Sequence, residues 1–196
     1  MDKRADSSVP LTDVIARRWS PRALDETREV SWGQLRALLE AARWAPSFGN
    51  TQPARFLAGR RGDATFRQIL GTLTERNQAW AHRAGALLIG IMVSRNEKGP
   101  IPYAEYGLGL AEQHLVLQAV AEGLVAHQMA GFDADAVRER FAVPGDAVPR
   151  VAIAVGHAGD PAVLEVDKLI ERERAPRKRL PLGELAYTGE WGAPAF

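Results

Sequence analysis

Ala86-Leu87-Leu88-Ile89-Gly90-Ile91-Met92-Val93 is an unbroken apolar run with β-branched members and turn residues beyond it. A short run with no polar alternation fits a strand covered on both faces, at the centre of its sheet. Downstream, Pro149-Arg150-Val151-Ala152-Ile153-Ala154-Val155-Gly156 alternates at Val151, Ile153 and Val155 and is closed by glycine, which reads as a second strand. A third, shorter strand is expected around Arg55–Ala58. Between the first two, Tyr103 to Glu122 reads as one long helix carrying Leu108, Ala111, Leu115, Leu117, Ala119 and Val120, with small residues around most of its circumference. Such a helix either threads the core or is shared with a second subunit, and an isologous dimer is the commonest arrangement. Strands mixed with helices in this order define an α+β class.

Shorter helices fill the rest. Leu11, Val14, Ile15, Arg18 and Trp19 form a helical stripe after Pro10, and Pro21 disfavours helical geometry at Ser20. Ser31-Trp32-Gly33-Gln34 has the form of a capping box ahead of Leu35, Leu38, Leu39 and Ala42. Asp63 can cap a helix with Phe66, Ile69, Leu70 and Leu73, whose continuation through Asn77 and Trp80 periodicity leaves open. Gly123 suits the residue just past the long helix. Leu124 to Asp133 reads as an apolar-to-polar turn, with Asp133 capping a further helix through Val137 and Phe141.

Composition narrows the function classes. The 196 residues, 46% hydrophobic, are enough for one domain with a substantial core. Lys plus Arg number 25 against 24 Asp plus Glu, so the net charge of +1 supplies no general attraction to nucleic acid or to an anionic membrane. With no cysteine, disulfides, iron–sulfur clusters, thiolate metal sites and cysteine nucleophiles are excluded. His82, His114, His127 and His157 lack metal-ligand spacing, and Ser47 lacks a Gly-x-Ser-x-Gly context. Neither a signal peptide nor a membrane span is legible, so a cytoplasmic location is expected, with no membrane or nucleic-acid partner. Glu112 and Glu122 read as interface or solvent carboxylates, and His127 either faces a substrate pocket or caps the preceding helix.

Charged clusters remain. Arg17, Arg18, Ser20 and Arg22 place three guanidinium groups and a hydroxyl within six residues. Arg18 and Arg22 can fork around phosphate oxygens while Ser20 donates its hydroxyl; the alternative is a solvated basic helix end. Pro46-Ser47-Phe48-Gly49-Asn50-Thr51-Gln52-Pro53, bracketed by prolines, is either an ordered loop whose amides bind a flat polar ligand or an ordinary turn. A second basic run, Glu171 to Leu182, is interrupted by Glu171 and Glu173, which argues against a nucleic-acid patch. The tail ending Trp191-Gly192-Ala193-Pro194-Ala195-Phe196 is too apolar for a free linker.

Taken in order, these pieces resemble the FMN-dependent nitroreductase family from about Val14 to Trp191. Arg18-Trp19-Ser20-Pro21-Arg22 is similar to the family's N-terminal Arg-x-Ser-x-Arg/Lys element, and Pro46 to Pro53 to its Pro-Ser-x-x-Asn-x-Gln-Pro loop. Gly123-Leu124 and His127 to Asp133 resemble the segment near flavin N5, and Arg177-Lys178-Arg179 the C-terminal basic pair. The resemblance implies an α+β fold with a central mixed, mainly antiparallel sheet flanked by helices. It further implies an intertwined homodimer with a long buried interface helix and two FMN sites at the interface.

As one domain over 1–196, the chain would dock its tail, about 180–196, on the partner. The implied cofactor contacts are Arg18, Trp19, Ser20, Arg22, Arg177 and Arg179 on the phosphate and ribityl chain. Ser47, Asn50, Gln52 and Asn77 would border the ring's polar edge, with the backbone of Gln128, Met129, Ala130 and Gly131 on the N5 side. The implied reaction is ping-pong hydride transfer from NADH or NADPH through FMN to nitroaromatics, quinones or activated alkenes, with no catalytic side chain and no metal. The alternative is an FMN storage or sensor protein. Three positions depart from the family pattern: Ala130 stands where some relatives carry glutamate, Trp80 where some carry lysine, and Ala54 where many carry tryptophan.

Overall fold

The computed structural model describes residues 3–196. In chain order the elements are α1 (Asp13–Arg17), α2 (Trp32–Arg43), β1 (Ala54–Arg60), α3 (Ala64–Leu70), α4 (Glu75–Ala81), β2 (Ala86–Val93), the two-residue strands β3 (Arg95–Asn96) and β4 (Gly99–Pro100), α5 (Ala104–Ala121), β5 (Val125–Met129), α6 (Ala134–Phe141), β6 (Ala147–Gly156) and α7 (Asp167–Arg174). The main sheet has the order β1-β2-β6-β5 and every pairing in it is antiparallel.

Strand alternation distributes β2 between two cores, as expected of a strand covered on both faces. Leu87, Ile89 and Ile91 pack with Phe66, Ile69, Trp80, Met129 and Val137 on one side. Ala86 and Leu88 pack with Leu35, Leu38, Ala111, Leu115 and Ala119 on the other. The sheet is therefore sandwiched between α3, α4 and α6 on one face and α2 and α5 on the other. A register shift between Gly90 and Ile91 accommodates Pro149 of β6, which has no N–H to give the ladder.

Local signals place the helices. The capping box at Ser31 and Gln34 is formed in both directions, and Asp63 and Asp133 each accept backbone N–H bonds at the starts of α3 and α6. At the end of α5, Gly123 has φ +72, Leu124 N–H donates to Ala119 O at 2.8 Å and Gly123 N–H to Val120 O at 3.1 Å. That pair of bonds is a Schellman motif, closed by the glycine.

Four expectations are corrected. The segment after Gly123 is no turn: Val125–Met129 is an edge strand paired with β6. The helix capped by Asp63 stops at Leu70 and a new one starts at Glu75, because Leu73 bridges to Phe132 and Thr72 O accepts from Asp133 N–H at 2.8 Å. The N-terminal helix is only Asp13–Arg17, leaving Arg18 and Trp19 in the non-helical segment beyond. Glu112 is neither exposed nor half-exposed but 7% accessible.

Candidate functional site

The site is built where the ends of the chain meet. Arg18 leaves α1 in extended conformation, and its Nη1 donates to Ser20 Oγ at 3.2 Å. From α7, the carboxylate of Glu173, 3% exposed, accepts the backbone N–H groups of Arg22 at 2.8 Å and Ala23 at 2.9 Å through one oxygen. Arg177 donates to the carbonyl oxygens of Lys3 and Ala16 at 2.9 and 2.8 Å. These bonds, spanning about 150 to 174 positions of sequence, bring the two basic segments side by side.

Burial, followed by repulsion from Arg177 and Arg179, lowers the pKa of Arg18. Burial and Arg172 lower that of Arg22, with Arg76 adding and Glu173 opposing. Arg4 and Arg17 pair with Asp13, and Arg43, Arg60, Arg83 and Arg150 with glutamates. Among the described residues, Arg18, Arg22, Arg177 and Arg179 form no such pair. Arg18, Arg22 and Arg177, half-buried and without a salt bridge, supply donors suited to a phosphate, and the one buried carboxylate beside them, Glu173, is engaged by backbone amides. Arg17, turned back to Asp13 at 3.1 Å, stands outside this group. So does the ring of Trp19, which lies 4.5 Å beneath Lys3 Nζ and lines a cavity with Val120 and Leu124.

Next to the arginines, His127 of β5 stacks on Trp80 of α4 with centroids 4.8 Å apart. Its Nδ1 donates to the Pro21 carbonyl oxygen at 2.9 Å, which sets the tautomer. Burial pushes its pKa down to about 4, and Arg22 and Arg18 push the same way, so the ring is neutral near pH 7. It thus neither caps a helix nor competes with the arginines for an anion; it ties the Arg18–Arg22 segment to the sheet.

One turn before Trp80, Asn77 Nδ2 donates to Gly131 O at 2.9 Å, and Thr74 N–H reaches the same oxygen at 3.0 Å. A Cβ on Gly131 would stand 2.7 Å from Asn77 Nδ2 and 3.0 Å from Thr74 Oγ1, so glycine is needed for this approach. Met129 packs its side chain into the core. Ala130 is exposed. Gln128 is exposed too, and its Nε2 donates to Glu112 Oε2 on the α5 side of the sheet at 3.2 Å.

The loop Pro46 to Pro53 is ordered by its own polar groups. Ser47 Oγ accepts from Gln52 N–H at 2.9 Å, Gln52 Nε2 donates to Asn50 O at 3.3 Å, and Arg55 Nη1 to Gln52 O at 2.8 Å. Asn50 and Gln52 hold φ of +55 and +48 beside Gly49 at +52; left-handed geometry costs a non-glycine residue about 1–2 kcal/mol and is retained where the surroundings enforce it. Pro53 sits against Gly107, where a Cβ would come within 2.8 Å of its ring. A cavity of about 270 Å³ opens between this loop, the end of α2 and α5, lined by Ala42, Ala45, Gln52, Phe56 and Ala111 among others.

Within one chain the loop and the arginines do not converge. The loop contacts Gly107 near the start of α5, whereas Trp19 beside Arg18 shares a cavity with Val120 near its end. At 1.5 Å per residue that is about 20 Å along the helix. Glu173, Thr74 and Glu112 escape sequence reading as site residues. For Glu173 a signal exists: it lies three and four positions after Ile170 and Leu169, on the apolar face of α7.

The chain is thus an α+β sandwich whose Arg18, Arg22, Arg177 and Arg179 form no salt bridge among the described residues. Residues 15–71 and 59–157 match the model of the nitroreductase family. The chain belongs to that family. A solved structure described as an oxidoreductase containing FMN is 32% identical, with a TM-score of 0.90, and 98% of each chain is covered. A 15.4 kDa uncharacterised protein of Mycolicibacterium smegmatis is 38% identical over 71% of this chain and 99% of its own length. A putative NADH dehydrogenase/NAD(P)H nitroreductase of Streptomyces coelicolor is 28% identical over 69% of this chain and 77% of its own.

Proposed function

We propose that the chain is an FMN-dependent NAD(P)H oxidoreductase acting on small electron-poor acceptors: nitroaromatics, quinones or activated alkenes. The observation that carries this reading is the arginine rim, in which Arg18, hydrogen-bonded to Ser20, lies close to Arg177 and Arg179 with no salt bridge to any of the three among the described residues, in a family whose 32% identical relative is an FMN-containing oxidoreductase. Bound FMN supplies hydride acceptance and donation at N5, in a ping-pong sequence with NADH or NADPH as the reductant.

The protein's own residues bind and orient. Arg18, Ser20, Arg22, Arg177 and Arg179 hold the phosphate and ribityl chain, and Asn77 with the Gln128–Gly131 segment holds the ring. Asn77 contributes by fixing the Gly131 carbonyl, since its Nδ2 is already engaged there. Ser47, Asn50 and Gln52, displaced by about 20 Å along α5, serve the cofactor of a second copy in a homodimer. The exposed α5 face at Tyr106, Gly109 and Gln113, and the tail with Leu185 at 72% and Trp191 at 91% exposure, support this assembly. The chain acts as one domain, in the cytoplasm where the reductant is found.

Steady-state oxidation of NADH and NADPH with a quinone or nitroaromatic acceptor tests the assignment. Turnover that requires FMN supports it; FMN binding with no turnover by either nucleotide replaces it with a storage or sensor role.

A further inference from the structure

Glu112 projects from the middle of α5 onto the β2 and β6 strands. A Cβ on Gly90 would stand 2.6 Å from its Oε1, so the glycine at the β-bulge makes room for the carboxyl. Oε2 accepts from Gln128 Nε2 at 3.2 Å, while Oε1 is buried without a hydrogen-bond partner.

Among the described residues, no cation faces this group. β2 carries no titratable residue. Arg150 of β6 reaches Glu105 at 3.4 Å, and His127 of β5 lies on the opposite face of the sheet against Trp80. Arg55 of β1 donates to the carbonyls of Gln52 and Ala54, and Arg43 of α2 pairs with Glu40. Burial accordingly pushes the Glu112 carboxyl up to about 7, opposed only by the Gln128 bond. The charge of this carboxyl therefore changes in the neutral range.

Its hydrogen-bond partner sits at the cofactor edge. Gln128 in β5 and Ala130 just past its end are both exposed, immediately before Gly131. With one Nε2 hydrogen given to Glu112, the Gln128 amide keeps its oxygen and a second N–H for a ligand.

We propose that Glu112 is a positioning residue that orients Gln128 against the bound flavin, so that its proton occupancy is linked to the cofactor's redox state. This rests on the assignment of FMN to the Gln128–Gly131 edge. Ionised Glu112 places a negative charge one hydrogen-bonded side chain behind the flavin and disfavours further electron density there. Protonated Glu112 does not. By reciprocity, reduction raises the proton affinity of Glu112. The electrons come from the nicotinamide reductant, and the additional proton bound at Glu112 comes from solvent.

The flavin midpoint potential, measured against pH for the wild type and Glu112→Gln, tests the linkage. The wild type is expected to fall more steeply with pH just above 7 than the variant, and the two to run parallel near pH 5. Lines parallel throughout, with FMN bound, overturn the role of Glu112. Failure to bind FMN at all overturns instead the cofactor assignment beneath it. A second measurement needs no variant. The reduced-minus-oxidised infrared spectrum of the wild type at pH 7.5 is expected to gain a carboxylic acid C=O band, and its absence contradicts the proposal. In the apoprotein the same band is expected at pH 6 and lost by pH 8.

Discussion

Glu112 and His127, both buried, shift in directions that oppose each other with pH. Glu112, raised from 4.5 to about 7, contributes stability that is complete below its unfolded value and is lost as pH rises through the folded one. His127, lowered from 6.5 to about 4, contributes stability that is complete above its unfolded value and is lost as pH falls toward 4. Each shift corresponds to about 3 kcal/mol, so between pH 4.5 and 6.5 the two slopes offset. His157, also buried and with its pKa lowered mainly by burial, adds a slope of the same sign as His127, so urea titrations across that range are expected to show a shallower rise of stability with pH for the wild type than for Glu112→Gln. For Glu112→Gln stability should rise with pH, and a flat line there would refute the His127 linkage. At the arginine rim, Arg18→Ala and Arg179→Ala each remove a charged hydrogen-bond partner worth about 1.5–3 kcal/mol. FMN affinity measured by fluorescence titration is expected to weaken about 10- to 100-fold for each. Unchanged affinity would remove these residues from the clamp.

Elements differ in how openly the sequence displays them, and the reason is where their polar groups go. β2 has the same bounds in sequence and structure because both its faces are apolar and nothing interrupts the run. β5 is obscured because His127 and Gln128, on opposite faces, satisfy themselves through Pro21 and Glu112, partners 106 and 16 positions away. The break between α3 and α4 is invisible for a related reason: the apolar stripe Ile69, Leu70, Leu73 continues across it, and the pairing of Leu73 with Phe132 is tertiary. The capped starts at Ser31, Asp63 and Asp133 and the stop at Gly123 are local chemistry and were legible residue by residue.

Packing between elements makes its own prediction. At Gly59 of β1 a Cβ would lie 2.3 Å from the Phe66 backbone nitrogen and 2.7 Å from the Thr65 carbonyl carbon. Backbone cannot rotate away as a side chain would, so Gly59→Ala is expected to cost about 1–3 kcal/mol or more, read as a lowered urea midpoint. An unchanged midpoint would mean that α3 and β1 are not in this close contact.

For the molecule as a whole, the order of basic and polar motifs along the chain announced the family, and the structure brings the N-terminal and C-terminal arginines together as that order implied. The sequence marks Glu173 only by its place on the apolar face of α7, and does not show that its buried carboxylate accepts from the amides of Arg22 and Ala23. Nor could it show that the Ser47–Gln52 loop stands apart from the arginines within one chain. Sedimentation is expected to show a species of about twice 21.4 kDa, and deletion of residues 180–196 to weaken that dimer. A stable monomer of the full chain would leave the loop without a cofactor to serve.

The most direct test of the central claim is the visible spectrum of the purified protein, with FMN quantified after denaturation. The account predicts a band near ~450 nm from oxidised flavin, one FMN per chain, and loss of that band in the Arg18→Ala, Arg179→Ala double variant. A colourless protein that takes up no added FMN, or a double variant as yellow as the wild type, would contradict it.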